Sequence, residues 1–309
     1  MSSNNIVEEA RMLCCVSCGI AEVDDVKLKP CDGCDLVRYC SDACQIDHRP
    51  EHEVACKERA AELRDEILFR QPESSHQGDC PICCVPLPLE DGKGSLYPCC
   101  SKLICLGCTF AVFFQNRGAN VLSSCPCPFC RLPQPRTDED TEKYEMKRVA
   151  VNDPVALRQK GLRHARSEEY DAAFDYWTKA AEMGDAMAHY NLSIMYSEGQ
   201  GFEKDEKKEL YHLEEAAIRG HPDARHQLGV NEGKNGRLER SVKHFIIAAN
   251  LGYDLSIKLL KELYKKEFIS KEEFAAALRA HKAAVDATKS PQRESAEKFY
   301  AVHPRFARK

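Results

Sequence analysis

Apolar and polar positions in the C-terminal half of the chain alternate with helical spacing, and the whole pattern repeats. From Asp153 onward the pattern recurs after about 36 and then about 32 residues. Each copy contains an Ala-Ala pair, which lets two helices approach closely, and then a glycine that can end the second helix. A single helix pair cannot bury its apolar stripe, so successive pairs are expected to stack into a solenoid. The aligned positions are Phe174/Leu210/Val242, Trp177/Leu213/Phe245, Ala180/Ala216/Ala248, Ala181/Ala217/Ala249 and Gly184/Gly220/Gly252.

Residues 154–287 contain this pattern and resemble Sel-one-like repeats, which are relatives of the tetratricopeptide repeat. The first copy departs from the family with Lys160 at a usual leucine position, as expected at the end of an array. Ser270 followed by Glu273 predicts the start of the last repeat helix through a capping box. Trp177 and the tyrosines of these helices are expected in the core. The resemblance implies an all-α array whose concave surface binds peptides or folded proteins.

Three further segments connect or follow the modules. For residues 57–79 the sequence predicts a helix and then a linker rich in turn-forming residues. Residues 132–153 combine prolines with a run of charges and predict a linker that acts as a flexible joint. Residues 288–309 predict a basic C-terminal tail. Within that tail, Phe299 and Tyr300 predict either a helix packed back onto the array or a frayed end.

The cysteines are confined to the N-terminal half of the chain, where all 18 lie between Cys14 and Cys130. Most come in closely spaced pairs, which is typical of metal knuckles rather than of disulfides. The N-terminal sequence MSSNNIVEEARML lacks the basic start and apolar run of a signal peptide. Reduced thiols in the cytoplasm or nucleus are therefore expected, with zinc as the cofactor. The longest apolar stretch, Leu103–Phe114, is too short to span a bilayer.

Residues 15–56 contain four ligand pairs, which is what two tetrahedral zinc ions require. A segment of this length has too little apolar area for a core, so zinc is expected to supply its stability. The order of the pairs and the Tyr39-Cys40 dipeptide resemble the MYND-type zinc finger. The resemblance implies docking of short proline-containing peptides and an interleaved ligation. The implied quartets are Cys15, Cys18, Cys40 and Cys44 on one ion, and Cys31, Cys34, His52 and Cys56 on the other.

Residues 80–131 contain ten cysteines, and eight of them form four more ligand pairs. The sequences CPIC, CCSKLICLGC and CPFCR resemble a RING domain with cysteine at all eight ligand positions. The family implies a cross-brace with two more zinc ions, so four are expected in the chain. The match departs at the adjacent Cys99 and Cys100, where the family normally has an intervening residue. Cys125 also remains an alternative to Cys127. The implied quartets are Cys80, Cys83, Cys105 and Cys108 on one ion, and Cys99, Cys100, Cys127 and Cys130 on the other.

RING domains of ubiquitin ligases perform no covalent chemistry. They position a ubiquitin-conjugating enzyme that carries ubiquitin as a thioester. The resemblance places apolar contacts for that enzyme at Ile82 and Pro128. Arg131 follows the last ligand, where many active members carry a cation that pins ubiquitin. The alternative stays open that Ile82 and Pro128 pack the zinc knuckles and that Arg131 is an ordinary basic residue at a domain edge.

Several residues near the clusters have no predicted role in metal binding. The helical spacing of Phe110, Phe113 and Phe114 predicts either core packing or a patch that faces a partner. Three further potential metal ligands are interpreted as bystanders: Cys14, His48 and Cys84.

Charge narrows the class of partner. The net charge is −5, and residues 1–56 hold 11 acidic and 5 basic residues. Nucleic-acid binding by the first module is therefore disfavoured, because it would approach phosphates with the wrong sign. Lysine methyltransfer is also disfavoured, because residues 131–309 leave no room for a cofactor domain.

The expected fold class is multidomain, with two small zinc-stabilised loop-rich domains followed by an all-α helical-repeat solenoid. The expected function is that of a protein-interaction adaptor with RING-type ubiquitin ligase capability. In the alternative, the chain is a non-catalytic zinc-finger scaffold that docks partner peptides.

Overall fold

The computed structural model describes residues 14–23, 26–90, 92–115 and 126–303. The chain divides into two compact units, and the boundary lies between Arg70 and Gln71. The first unit contains the first cysteine cluster, and the second contains the other cluster and the repeats. The predicted fold class is confirmed, since loop-rich cysteine modules precede a helical array. Within the described ranges, none of the helices combines the length and apolarity that a membrane span needs.

The first unit is a two-stranded hairpin followed by one long helix. Strands β1 (Lys29–Pro30) and β2 (Arg38–Tyr39) pair antiparallel. Helix α1 (Asp42–Leu68) begins after Ser41, whose hydroxyl accepts a hydrogen bond from the Cys44 N–H at 3.3 Å. Such an N-cap satisfies one of the donors left free at a helix start. The helix predicted after the first cluster is therefore the second half of a 27-residue helix that already carries metal ligands.

The second unit begins with a hairpin and a short helix. Strands β3 (Gly94–Tyr97) and β4 (Lys102–Cys105) pair antiparallel, and helix α2 (Leu106–Gln115) follows directly. Leu87 and Ile104 are buried beside the cysteines and form the small apolar centre of this module. Because this apolar centre is small, its burial alone contributes little to the stability of the module.

The repeat array consists of four helix pairs, and the three aligned copies of the sequence pattern lie within them. Polar side chains cap several of the helix starts, among them Asp153, Asp185 and Asp205. The predicted capping box at Ser270 and Glu273 is present. The helices are α4 (Pro154–Arg166), α5 (Tyr170–Glu182), α6 (Ala186–Glu198), α7 (Glu206–Ile218), α8 (Pro222–Lys234), α9 (Leu238–Asn250), α10 (Asp254–Lys265) and α11 (Lys271–Ala287).

Close helix approach within the array depends on small residues. The predicted Ala-Ala pairs are buried, and the glycine that ends each second helix has a φ between +82 and +89°. A Cβ on Gly161 would lie 2.6 Å from the Trp177 ring, and one on Gly229 would lie 2.6 Å from the Phe245 ring. The large aromatic side chain of one helix therefore requires a glycine on the facing helix of its pair.

The flexible joint predicted for residues 132–153 is replaced by a helix that extends the array. Helix α3 (Asp138–Val149) packs against α4. Glu145 is buried on it and accepts two hydrogen bonds from the Arg163 guanidinium, at 2.8 and 3.1 Å. Lys160 forms an ion pair with the same helix, which accounts for the charged residue at a leucine position of the repeat. The run of charges is thus largely a helix surface that pairs with the first repeat.

The linker predicted within residues 57–79 also lies against the array. The His76 N–H donates to the Gly220 carbonyl oxygen at 3.0 Å, and the His76 ring stacks on His221 with 4.3 Å between centroids. Burial, together with the nearby Arg158 charge, lowers the pKa of His76 to about 4. This segment therefore behaves as a packed strap between the second cysteine module and the repeats.

The predicted tail, residues 288–309, contains a helix that returns to the second cysteine module. Helix α12 (Pro291–Val302) packs on α2. The sequence predicts that Phe299 and Tyr300 either pack on the array or mark a frayed end. Instead, their ring centroids lie 5.2 and 6.1 Å from that of Phe110 in α2. The described part of the predicted tail is thus helical, and it joins the end of the chain to its middle.

Candidate metal centres and partner-binding surfaces

The structure brings the sixteen predicted ligands together in four groups with the predicted membership. In each group the four ligand atoms lie within 4.8 Å of one another. Their assignment as zinc ligands remains a prediction, but it can be tested against the size of a tetrahedral site. With Zn–S bonds of about 2.3 Å, two sulfur atoms of one site stand about 3.8 Å apart.

Separations in the first unit fit that size. The sulfur of Cys40 lies 3.5 Å from that of Cys18 and 3.6 Å from that of Cys44. In the other group, the Cys34 sulfur lies 3.2 Å from Nε2 of His52. The mixed pair is expected to be closer than two sulfurs, because Zn–N bonds are shorter than Zn–S bonds. The residues of both groups therefore fit zinc.

Local structure explains how the first unit builds these groups. A tight turn holds the pair Cys31 and Cys34, and helix α1 places His52 and Cys56 one turn apart on the same face. Gly33 lies inside the turn, where a Cβ would stand 2.9 Å from the Cys56 sulfur. This glycine is therefore needed because the two ligand pairs approach so closely.

Tyr39 supports this centre in a way that the sequence did not reveal. Its side chain is buried, and its hydroxyl forms a 3.0 Å hydrogen bond with Nδ1 of His48. The His48 ring in turn stacks on His52, with 5.7 Å between centroids. Burial and the surrounding thiols raise the pKa of Tyr39 to about 12, so the phenol stays protonated. His48 thus orients a ligand without belonging to either group.

The second cysteine module interleaves its ligand pairs as a cross-brace. The Cys83 and Cys105 sulfurs lie 3.8 Å apart, and the Cys100 and Cys127 sulfurs lie 3.6 Å apart. The first and third pairs along the chain thus share one site, and the second and fourth share the other. The Cys130 sulfur lies 3.3 Å from that of Cys99, completing the second site. These separations also fit tetrahedral zinc.

The hairpin makes the adjacent cysteines usable as ligands. Cys99 and Cys100 lie in the turn between β3 and β4, and both enter the same quartet. Ser101 follows them in a left-handed conformation with a φ of 56°, which turns the chain back into β4. Two cysteines that are adjacent in sequence can thus both belong to one four-cysteine site. Cys125 lies outside the described residues, and so do the side chains of Phe113 and Phe114.

Backbone donors favour the thiolate form at the first site of this module. The Cys105 N–H donates to the Cys80 sulfur at 3.4 Å. Burial alone would raise the pKa of the Cys80 thiol, but the N–H groups of Cys105, Cys83 and Ile82 bring it down to about 7. Since zinc binds the thiolate, this arrangement suits a metal ligand. Cys14 and Cys84 stay outside the quartets in the described part of the chain.

The predicted contacts for a conjugating enzyme are accessible. Ile82 is 41% exposed, and Pro128 and Arg131 are also exposed. The chain turns at Arg131, which has a φ of 59°, and its N–H donates to the Cys127 carbonyl oxygen at 2.9 Å. Because Ile82 and Arg131 are exposed, neither is a core residue of this module. Their roles toward a partner remain predictions.

Comparison with protein families now identifies two of the modules. Residues 15–56 match the model of the MYND finger. The first module is a MYND finger. Residues 158–185, 186–221 and 222–253 match the Sel1 repeat in three consecutive copies. Neither match includes the second cysteine module.

Two solved structures are similar to about half of this chain. A Sel1 repeat protein from Oxalobacter formigenes is 21% identical over 50% of this chain and 67% of its own, with a TM-score of 0.42. The protein c5321, a protective antigen of uropathogenic Escherichia coli with an SLR fold, is 21% identical over 53% of this chain and 37% of its own, with a TM-score of 0.38. A comparison with curated proteins gives no match. The repeats are therefore assigned from the family model.

MYND fingers and Sel1 repeats are protein-interaction modules. Together with the four cysteine and histidine groups, they support a zinc-binding adaptor with protein partners. A cavity of about 940 Å³ offers one recess for such a partner. It lies where residues 86–90 of the second cysteine module face residues 250–255 and 280–289 of the array. The sequence predicts binding on the concave face of the array, and it contained no signal for this recess.

Proposed function

We propose that this adaptor is a RING-type ubiquitin ligase. The second cysteine module would recruit a ubiquitin-conjugating enzyme, and the MYND finger and the Sel1 repeats would select the target. The interleaving of two four-cysteine sites carries the proposal, with Ile82 and Arg131 exposed beside the first and last ligands. We further propose one zinc ion in each of the four groups, and a location in the cytoplasm or nucleus.

The module would act by positioning rather than by covalent chemistry. Ile82 and Pro128 would give the conjugating enzyme an apolar contact, and the Arg131 guanidinium can bridge two acceptors of ubiquitin at once. The packed strap at His76 supports this function, because it ties the module to the repeats within one compact unit. A target held on the repeats would then stand at a defined distance from the bound enzyme.

The metal content is the first test. Native mass spectrometry of the full chain should find four zinc ions. Two ions would mean that the second cysteine module is not a zinc domain, and the ligase proposal would fall with it. Replacing Cys99 by serine should remove one ion without affecting the MYND finger.

Ligase activity is tested by autoubiquitination with a panel of conjugating enzymes. We expect ubiquitin chains with the wild type, and their loss in Cys80→Ser and Ile82→Ala. Two matched controls should keep full activity. Cys84→Ser changes an exposed cysteine outside the quartets, and Val151→Ala changes an exposed apolar residue between α3 and α4. No product with any enzyme, or activity that survives both test substitutions, would contradict the proposal.

The adjacent Cys99 and Cys100 favour a second candidate, in which the module is a docking surface without catalytic output. The family normally separates these two ligands, so the surface around them differs from that of an active RING domain. This candidate predicts partner binding that is unchanged in Ile82→Ala and Arg131→Ala, and no ubiquitin transfer. A loss of partner binding in parallel with a loss of transfer would instead favour the ligase.

For the MYND finger we propose binding of short proline-containing peptides. Val16, Ile20 and Leu36 are exposed apolar residues of this finger and give such a peptide a place to pack. Fluorescence anisotropy with labelled proline-containing peptides should show saturable binding that weakens in Ile20→Ala. Equal binding of peptides in which alanine replaces proline would argue against this specificity.

A further inference from the structure

The C-terminal helix α12 inserts an arginine into the second cysteine module. Arg293 is only 5% exposed. Its guanidinium donates to the carbonyl oxygens of Val85 at 2.9 Å and Pro86 at 2.6 Å, and to the Cys83 sulfur at 3.6 Å. It also donates to the Thr288 carbonyl oxygen at the start of its own segment, at 2.5 Å. One side chain therefore joins two segments more than 200 residues apart in sequence.

The acceptors identify what this arginine stabilises. Val85 and Pro86 follow the knuckle that carries the ligands Cys80 and Cys83, so their carbonyl groups define the path of that loop. A planar guanidinium can serve several acceptors at fixed angles, which the ammonium of lysine cannot do. A zinc ion with four thiolates also keeps net negative charge, and a buried cation beside one sulfur offsets part of it. The contact is therefore both geometric and electrostatic.

Gly107 shows that the close approach is built into the chain. It lies between the ligands Cys105 and Cys108, at the start of α2. A Cβ at this position would stand 2.9 Å from both the backbone nitrogen and Cγ of Arg293. Only glycine lets the first turn of α12 lie this close to the second ligand pair. Helix α12 thus contacts both ligand pairs of a single quartet.

Two more contacts hold the rest of α12 in place. The Lys93 ammonium lies 2.7 Å from a Glu297 carboxylate oxygen, and the Phe110 and Phe299 rings pack with 5.2 Å between centroids. Lys93 precedes β3 and Phe110 lies on α2, so the helix spans the module rather than touching it at one point. An ion pair and an aromatic contact together hold the helix more firmly than a single surface ion pair would.

We propose that α12 is a structural part of the site formed by Cys80, Cys83, Cys105 and Cys108, and that Arg293 is its positioning residue. By fixing the knuckle loop and offsetting thiolate charge, Arg293 slows the loss of zinc from this site. The functional module then comprises residues 80–131 together with the segment that follows Thr288. The inference rests on the proposed zinc occupancy of this quartet.

The test compares zinc release from full-length variants to a colorimetric chelator, together with zinc counts from native mass spectrometry. Arg293→Gln should release one zinc ion about 10- to 100-fold faster than the wild type, as changes beside metal ligands typically do. Arg293→Lys keeps the charge without the fork and should fall between the two. Arg279→Gln alters an exposed arginine of α11 and is the matched control, with release at the wild-type rate.

Cysteine alkylation mapped by mass spectrometry shows which site has opened. In Arg293→Gln, the quartet with Cys80 should be labelled while the quartet with Cys99 stays protected. Gly107→Ala gives an independent check, because it displaces α12 and leaves Arg293 unchanged, and it should open the same quartet. Trp177 fluorescence reports whether the array stays folded in each variant.

Each outcome decides between the proposals. Wild-type release rates in both Arg293→Gln and Gly107→Ala would overturn the role of Arg293 and leave the zinc assignment intact. Equal labelling of all four quartets, or loss of the Trp177 signal, would also overturn it, because the effect would then be general unfolding. A wild-type chain without zinc at this quartet would instead refute the zinc assignment itself, and this inference with it.

Discussion

The pairing of small and large residues inside the repeats predicts the effect of a single methyl group. Gly229 on α8 faces Phe245 on α9, and a Cβ there would lie 2.6 to 3.0 Å from three atoms of the ring. Trp177 and Gly161 are paired in the same way two repeat units earlier. We therefore expect Gly229→Ala to destabilise the array, although alanine is the better helix former.

Two opposing effects set the magnitude. Apolar carbon atoms normally pack about 3.5 to 4.0 Å apart, so the ring or the helix must move by about 1 Å. Phe245 is 3% exposed, which leaves the ring little room to move outward. Overpacking of a core by one methyl group costs about 1–3 kcal/mol, and alanine in place of a helical glycine returns about 1 kcal/mol. The crowding lies toward the upper end here, so the net loss should be about 1–2 kcal/mol.

Thermal unfolding followed by Trp177 fluorescence measures this loss as a fall in Tm of about 2–8 °C. Gly233→Ala on the same helix is the comparison, because that residue is exposed and its Cβ would meet no ring, only the Ser241 hydroxyl oxygen at 3.2 Å. Its Tm should fall less than that of Gly229→Ala. Phe245→Leu should rescue Gly229→Ala, since the second repeat has Ser193 at the glycine position and Leu213 at the aromatic one. A Tm for Gly229→Ala at or above that of the wild type would refute the reasoning.

Three other predictions concern acid, metal and the single tryptophan. Because burial holds the pKa of His76 near 4 and an unfolded histidine titrates near 6.5, the unfolded chain binds more protons between these values. Stability should therefore fall as the pH drops from about 6.5 to 4, by about 3 kcal/mol for this residue, and urea titrations should show a weaker fall in His76→Leu. Chelation of zinc should expose the cysteines to alkylation yet leave the Trp177 emission unchanged, because the ligands lie outside residues 154–287; a red shift would show that the array depends on the metal. Trp177→Ala should cost about 3–5 kcal/mol in chemical unfolding, since the ring is 5% exposed and its N–H donates to the Arg158 carbonyl oxygen; a cost below about 1 kcal/mol would mean that the ring does not pack as described.

Features that depend on short stretches of chain were predictable from the sequence. The ligand pairs lie within single turns, and the capping box at Ser270 involves residues three apart. The repeat pattern is likewise local, because each helix shows its own apolar stripe and the glycine that ends each helix pair. The membership of the four quartets also followed from the family resemblance, including the adjacent Cys99 and Cys100.

Contacts between distant segments were not predictable in this way. The sequence shows Arg293 as one basic residue of a terminal segment, and nothing near it identifies Val85 or Pro86 as partners. The same is true of His76, which looked like part of a linker and is packed against the second repeat. Tyr39 was noted only as part of a motif, whereas its hydrogen bond to His48 depends on the fold of the whole finger.

The sequence by itself therefore determined which residues form the closely spaced ligand pairs and which segments become repeat helices. Turn geometry and helical periodicity act over a few residues, so they are visible in one dimension. Only the tertiary structure decided that the chain end closes on the second cysteine module and that the linker becomes a strap. Those contacts depend on surfaces that exist only after the helices have packed. Gly107 and Gly220 mark two of these contacts in the sequence, because a distant segment lies too close to each of them for a side chain to fit. Which segment approaches each glycine becomes evident only in the folded chain.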